Sequence, residues 1–222
     1  MEETLKSDSI TPARKSRLRR SLPIVIAGAV GSVALALSMS PTLAAFTASI
    51  TNSTDTAGLG SLSMQEANQA GTILCNSTDG GSISTNTATC ATINKYGGNL
   101  AMVPGQTVST QITIKNTGTV AASTFNLSPA ACAQSNNGPV NGTATDLCSK
   151  VTLVVTSGSS TIYSGTLAAF NAPVDILAKT AASSVPAGTT VPFTFAVTVP
   201  AATGNTYSGL QLSQPLTWTF SS

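Results

Sequence analysis

The sequence predicts an all-β domain, an antiparallel β-sandwich or a jelly roll, behind an N-terminal export segment. Short runs in which apolar and polar residues alternate are separated by turns rich in Gly, Pro, Asn and Ser, which is typical of such folds. Charged residues make up only 8% of the chain, against roughly 25% in ordinary soluble domains. After the export segment, no convincing run of apolar residues has helical spacing, so strands are favoured throughout.

Residues 1–45 have the layout of a signal peptide. A basic stretch precedes an apolar run at 22–39, and small residues follow before Phe46. We therefore predict cleavage between Ala45 and Phe46, which leaves one β-sandwich domain at 46–222. The competing interpretation is a retained membrane anchor, because the apolar run has roughly the shortest length that spans a bilayer.

The new N-terminus begins with a short strand whose apolar side chains share one face. Its six residues are Phe46, Thr47, Ala48, Ser49, Ile50 and Thr51. A second short strand is predicted at 59–64, and an irregular stretch follows at 67–98.

The middle of the chain contains the most regular alternation. Residues 108–115 form the clearest strand, and the turn Asn116-Thr117-Gly118 predicts a hairpin with a strand at 120–127. Residues 151–155 should pair with 161–167, and a weak strand is predicted at 174–177.

The last two predicted strands carry the aromatic residues of the core. The first spans 191–199, with Pro192 near its start, where proline is tolerated. The second places five large side chains on one side and has a kink or bulge at Pro215; these side chains are Leu210, Leu212, Leu216, Trp218 and Phe220.

Four cysteines and no CxxC motif in an exported chain predict disulfides. Three pairings are possible. We favour Cys75–Cys90 with Cys132–Cys148, since each pair encloses a polar loop with little else to hold it. Four free cysteines are the alternative.

The charges and the types of side chain argue against nucleic-acid binding and against several kinds of active site. Residues 46–222 carry four lysines against five acidic residues, so no basic patch for nucleic acid is expected. The chain has no histidine, which removes the Ser-His-Asp triad and His-ligated zinc. We predict no enzyme activity, no metal and no cofactor. A carboxylate-based hydrolase would need two of these acids in one cleft: Asp55, Glu66, Asp79, Asp146 and Asp175.

Several motifs in order resemble TasA/camelysin-type secreted proteins. These motifs are the stretch Leu43–Ile50, the Gly-x-Leu-x-Leu-like stretch 59–64, the Pro-Gly turn and strand 103–118, and the closing aromatic stretch 210–220. The resemblance is spread along the chain but covers the middle only loosely. It implies a SipW-type signal peptide, a jelly roll, and a secreted subunit of a cell-surface or biofilm-matrix fibre.

In such fibres the N-terminal strand of one subunit joins the sheet of the next, so the resemblance makes Phe46–Thr51 the donor strand of a homopolymer. Pairing of this strand within its own domain remains open. The metalloprotease activity described for camelysins is not carried over, because this chain lacks its ligands, and the four cysteines depart from the family pattern. The alternative function is a monomeric adhesion module that uses loops 67–98 and 129–149. The membrane would be contacted only through an uncleaved signal segment, and signal peptidase would be the partner during export.

Overall fold

The structure, a computed structural model, describes Ile50, residues 56–82 and residues 84–222. The chain divides into two compact units, Met1–Thr56 and Ala57–Ser222. In the first unit only Ile50 and Thr56 are described, and both are exposed. The predicted signal peptide, its cut at Ala45/Phe46 and the rest of the donor strand lie outside the described residues. In the described part of the chain, no helix is long and apolar enough to cross a membrane.

The second unit is built mainly from antiparallel strands, which confirms the predicted all-β class. Its strands are β1 (Met64–Asn68), β2 (Leu74–Asn76), β3 (Thr107–Asn116), β4 (Thr124–Pro129), β5 (Ala133–Asn136), β6 (Thr152–Ser157), β7 (Ser160–Thr166), β8 (Val174–Asp175), β9 (Thr190–Thr198), β10 (Leu210–Ser213) and β11 (Leu216–Ser221). Two short helices, α1 (Leu147–Lys150) and α2 (Ile176–Thr180), and a 3-10 turn at Asn205–Tyr207 complete the fold.

The strands form two facing layers. A six-stranded sheet has the order β2-β1-β3-β9-β6-β7, and it faces a three-stranded sheet, β11-β4-β8, and a two-stranded ribbon, β10-β5. Aromatic side chains join the layers: the ring of Phe125 in β4 lies 5.8 Å from Phe193 in β9, and Trp218 in β11 lies 4.7 Å from Phe193. The core lies between the layers, as in a β-sandwich.

The three most regular predictions are correct. Residues 107–116 form β3, the pair β6–β7 is a hairpin closed by Gly158-Ser159, and residues 190–198 form β9. Pro192 pairs with Thr113 of β3, but β6 reaches only as far as Thr194. The proline therefore sits where β9 has a free second edge, as its missing N–H requires.

The predicted hairpin between 108–115 and 120–127 is wrong, because β3 and β4 belong to different layers. Asn116 is fully buried, and its Nδ2 donates to the carbonyl oxygens of Val120 and Val185, each at 2.9 Å. Its Oδ1 accepts from Gly118 N at 3.0 Å. These bonds satisfy the backbone while the chain crosses between layers.

The predicted strand at 59–64 is also wrong, since β1 begins only at Met64. Ser63 O accepts from Thr117 N and Ser61 O from Thr119 N, so this segment is bonded to the β3–β4 crossing and does not form a ladder. A Cβ at Gly118 would overlap Ser61 O, which explains the glycine there.

Two further predictions need correction at their ends. Strand β8 stops after Asp175, because the Asp175 side chain accepts from Ala178 N at 3.1 Å and starts α2. The closing strand is divided at Gln214-Pro215 into β10 and β11, which pair with different strands.

Candidate functional site

A groove opens between the large sheet and the consecutive strands β10 and β11. Its volume is about 1430 Å³, larger than the roughly 300–1,000 Å³ of most small-molecule sites. It is lined by β1, by β10 and β11, and by residues 85–104. This size and shape suit an extended stretch of polypeptide better than a small ligand.

The floor of the groove is the inner face of β1. Glu66 pairs with Ile114, which is fully buried in the core, and paired residues of neighbouring strands point to the same face. Met64 and Glu66 therefore face the interior and line the groove. In the described structure the opposite sheet ends at β11, so no strand of that sheet covers β1.

One side of the groove is a free backbone edge. Ala130 N donates to Pro215 O and Asn137 N donates to Gly209 O. Because hydrogen-bonded pairs alternate along an antiparallel ladder, the residues that bond to β4 and β5 are the odd-numbered ones. The N–H and C=O groups of the even-numbered strand residues then face the open edge; these are Leu210, Leu212, Leu216, Trp218 and Phe220.

These five residues are those that the alternating sequence pattern predicted on one side of the closing strand. Their side chains are half-buried and pack against the core, whereas Thr217 and Thr219 are exposed. The sequence predicted their shared face but gave no sign that they form a sheet edge.

This edge differs from the other strand edges in the described structure. Strands β2, β5 and β8 have three, four and two residues, and β7 has a bulge opposite Val155/Thr156. Short strands and bulges are the usual protection of a sheet edge against foreign strands. Strands β10 and β11 follow one another along one edge, contribute ten strand residues and contain no charged residue and no proline, so this edge is longer and less protected than the others.

The other side of the groove is a wall segment, defined here as residues 84–103. Asn86 Nδ2 donates to Leu62 O, and Ser77 Oγ donates to Asn86 Oδ1, both at 2.6 Å. The Cys75–Cys90 disulfide ties the segment to β2. The wall therefore has a defined position, although it contains no strand.

Tyr96 and Gln214 join the wall to the opposite side. Tyr96 Oη donates to Gln214 Oε1 at 2.9 Å. Gln214 is buried, and its Nε2 donates to the carbonyl oxygens of Ala130 (2.8 Å) and Phe170 (2.7 Å). Burial raises the pKa of Tyr96, and the nearby Tyr163 adds to the effect, so the phenol stays a donor over the physiological range.

A buried ion pair lies in the groove. Lys95 Nζ is 2.7 Å from Glu66 Oε1, and their side chains are only 10% and 9% exposed. The 2.7 Å contact has the length of a charge-assisted hydrogen bond, so each charge has its partner in the other. Nothing in the sequence indicated that Glu66 is buried; the structure places it on the inner face of β1.

Trp218 Nε1 is buried and has no hydrogen-bond partner among the described residues. Trp218 lines the groove together with Glu66. Buried polar groups normally have partners, so the indole N–H indicates a place in the groove where an acceptor is missing.

Asp55 lies outside the described residues, and the three remaining acids are each part of a separate local structure. Asp79 accepts from Asn76 N in a turn, Asp175 starts α2, and Asp146 accepts from Tyr207 Oη at 2.7 Å. The Tyr207 hydrogen bond, with Lys150 nearby, lowers the pKa of Asp146. Among the described residues, no group of three or more His, Cys, Asp or Glu side chains could hold a metal ion.

The cysteines form the two local disulfides favoured from the sequence, Cys75–Cys90 and Cys132–Cys148. Loop 67–98, expected to present a binding surface, supplies β2 and much of the wall. Loop 129–149 supplies β5 and α1. Of the predicted donor strand, only Ile50 is described, with an exposed side chain.

The chain matches no known protein-family model and no curated protein sequence.

Proposed function

We propose that this chain is a secreted structural subunit that polymerises by donating its N-terminal strand, Phe46–Thr51, to the groove of a second copy. The observation that carries the proposal is the unprotected edge of β10 and β11 beside the groove. The proposal includes the jelly-roll topology, the signal peptide cut at Ala45/Phe46 and the surface or matrix location that the family resemblance implies.

The edge supplies main-chain affinity. Strand addition satisfies N–H and C=O groups on both partners, and pockets along the groove then select side chains at alternate positions. The donor strand alternates in the required way, with Phe46, Ala48 and Ile50 on one face. These three apolar side chains suit a groove lined by Leu216, Trp218 and other half-buried residues.

Head-to-tail donation explains the form of the assembly. Each subunit gives one strand and receives another, so the contact joins two different surfaces, and a filament grows when the rotation between successive copies does not close into a ring. Two disulfides agree with an oxidising compartment outside the cytoplasm. They would brace each subunit after export.

The test compares Leu216→Pro with Leu216→Ala. The N–H of Leu216 faces the free edge, so proline there removes no bond to β4, although it blocks an incoming strand. Alanine removes the same leucine side chain but keeps the N–H. We expect the secreted parent to begin at Phe46 and, together with L216A, to form fibres under the electron microscope, while L216P stays a folded monomer.

Other outcomes point elsewhere. A folded monomer in all three samples would overturn the proposal and favour the monomeric adhesion module. Fibres from L216P that match those of L216A would show that assembly does not use this edge. A parent chain that begins at Met1 would make the export segment an anchor.

A further inference from the structure

We propose that the Glu66–Lys95 ion pair recognises the side-chain amide of Asn52 from the second copy, so that the inserted strand extends beyond Thr51. The identity of the inserted segment rests on the proposed function. The recognition point itself rests on the buried ion pair and on the length of the free edge.

The edge is longer than the six-residue donor strand. Strands β10 and β11 together contribute ten strand residues, so a strand of six that pairs along β11 would leave the edge-facing backbone groups of β10 without a partner. Unpaired backbone groups beside a buried groove are costly. An inserted segment that continues past Thr51 satisfies more of them.

The inner face of that longer segment changes from apolar to polar. Side chains alternate between faces in a strand, so Phe46, Ala48 and Ile50 are followed on the same face by Asn52. Asn52 is therefore the first polar side chain that would point into the groove. Buried without a partner, its amide would weaken insertion.

The ion pair has the capacity that this amide needs. An ammonium group offers three donors and a carboxylate several acceptor sites, and the contact between Lys95 Nζ and Glu66 Oε1 uses one of each. The Asn52 carbonyl oxygen would accept from Lys95 Nζ, and its NH₂ group would donate to Glu66. One amide would thus supply a donor and an acceptor to two buried charges.

The location of the ion pair also suggests a register. Lys95 is adjacent to Tyr96, which bonds to Gln214 at the junction of β10 and β11. An antiparallel strand with Asn52 opposite Gln214 places Ile50 opposite Leu216 and Ala48 opposite Trp218. The smallest apolar residue of the donor then meets the largest residue of the edge.

The experiment compares fibre growth by the full-length secreted protein with that of N52A and S49A. Ser49 has the opposite parity and would point away from the groove, so S49A is the matched control. We expect N52A to raise the minimum concentration for fibre growth at least about tenfold, because a hydrogen bond to a charged group is lost. S49A should change it less than about twofold.

The double variant E66M/K95M tests the receiving side. Replacing a buried ion pair with apolar residues is often neutral for folding, so its urea midpoint should stay near that of the parent. Because the two changes act on one contact, N52A should have little further effect on fibre growth in this background. If E66M/K95M fails to fold, the comparison of N52A with S49A still tests whether Asn52 contributes to fibre growth.

Fibres of the parent and N52A that form at the same concentration would overturn this inference and leave strand donation intact. A parent that forms no fibres under any condition would overturn both. If the parent stays monomeric and N52A has a lower melting temperature than the parent, the contact of Asn52 lies within one chain. That outcome would contradict recognition between copies.

Discussion

Replacing Asn116 with alanine should destabilise the domain without touching its apolar core. Asn116 is fully buried where the chain crosses between the layers. Its side chain makes three hydrogen bonds, two as a donor and one as an acceptor. At about 1 kcal/mol for each bond, N116A should lose about 3 kcal/mol of unfolding free energy.

The assay is urea unfolding followed by the fluorescence of Trp218, the only tryptophan in the chain. A loss of about 3 kcal/mol should also lower the melting temperature by roughly 6–12 °C in a domain of this size. The control is N126A, because the half-buried Asn126 side chain has no hydrogen bond to the described residues. Losses below about 1 kcal/mol, or equal losses in both variants, would refute the view that Asn116 holds the crossing.

Three further predictions concern the links around the groove and the second disulfide. Gln214→Ala should cost about 2–4 kcal/mol in urea unfolding, because it leaves several buried carbonyl groups without a donor; a change below about 1 kcal/mol would contradict this. The double variant C132S/C148S should lose about 3 kcal/mol, the chain-entropy value for a loop of this length, and an unchanged urea midpoint would contradict it. The pKa of Tyr96 is higher in the folded chain than in the unfolded chain. The stability that this shift provides is complete below the unfolded pKa near 10 and is lost as the pH rises through the folded pKa. The urea midpoint of the parent should therefore fall above pH 10, and less steeply in Y96F; equal slopes would contradict this account.

The strands that could be predicted are those whose two faces differ. In β3 and β9 the apolar residues recur at every second position, and one side of the sheet is buried. The alternation in the sequence therefore matches the alternation of buried and exposed positions in the strand. Which strands pair with each other could not be predicted in the same way. An Asn-x-Gly turn after β3 suits a hairpin locally, but whether Asn116 turns the chain back or carries it across depends on Val185, which is 69 residues away.

Only part of the candidate site could be predicted from the sequence. The shared face of Leu210 to Phe220 follows from alternation, because it depends on neighbours in the chain. The free edge does not, since it depends on which strands lie beside β11. The contact between Glu66 and Lys95 depends on how a strandless wall folds over β1, and no periodic pattern encodes that.

The location of the groove relative to the core also bears on how strand donation would work. The most deeply buried side chains, such as Phe125, Leu153 and Phe195, are 0% exposed and lie in β4, β6 and β9. The groove instead borders mainly half-buried residues of β11 and the wall segment, and it reaches only a few core side chains such as Val151 and Val197. Most of the hydrophobic stabilisation is therefore in place before any strand enters the groove. A subunit of this kind would fold on its own after export and keep its edge available for assembly. Insertion would then add the energy of one strand and one buried face to each junction, without being a condition for folding.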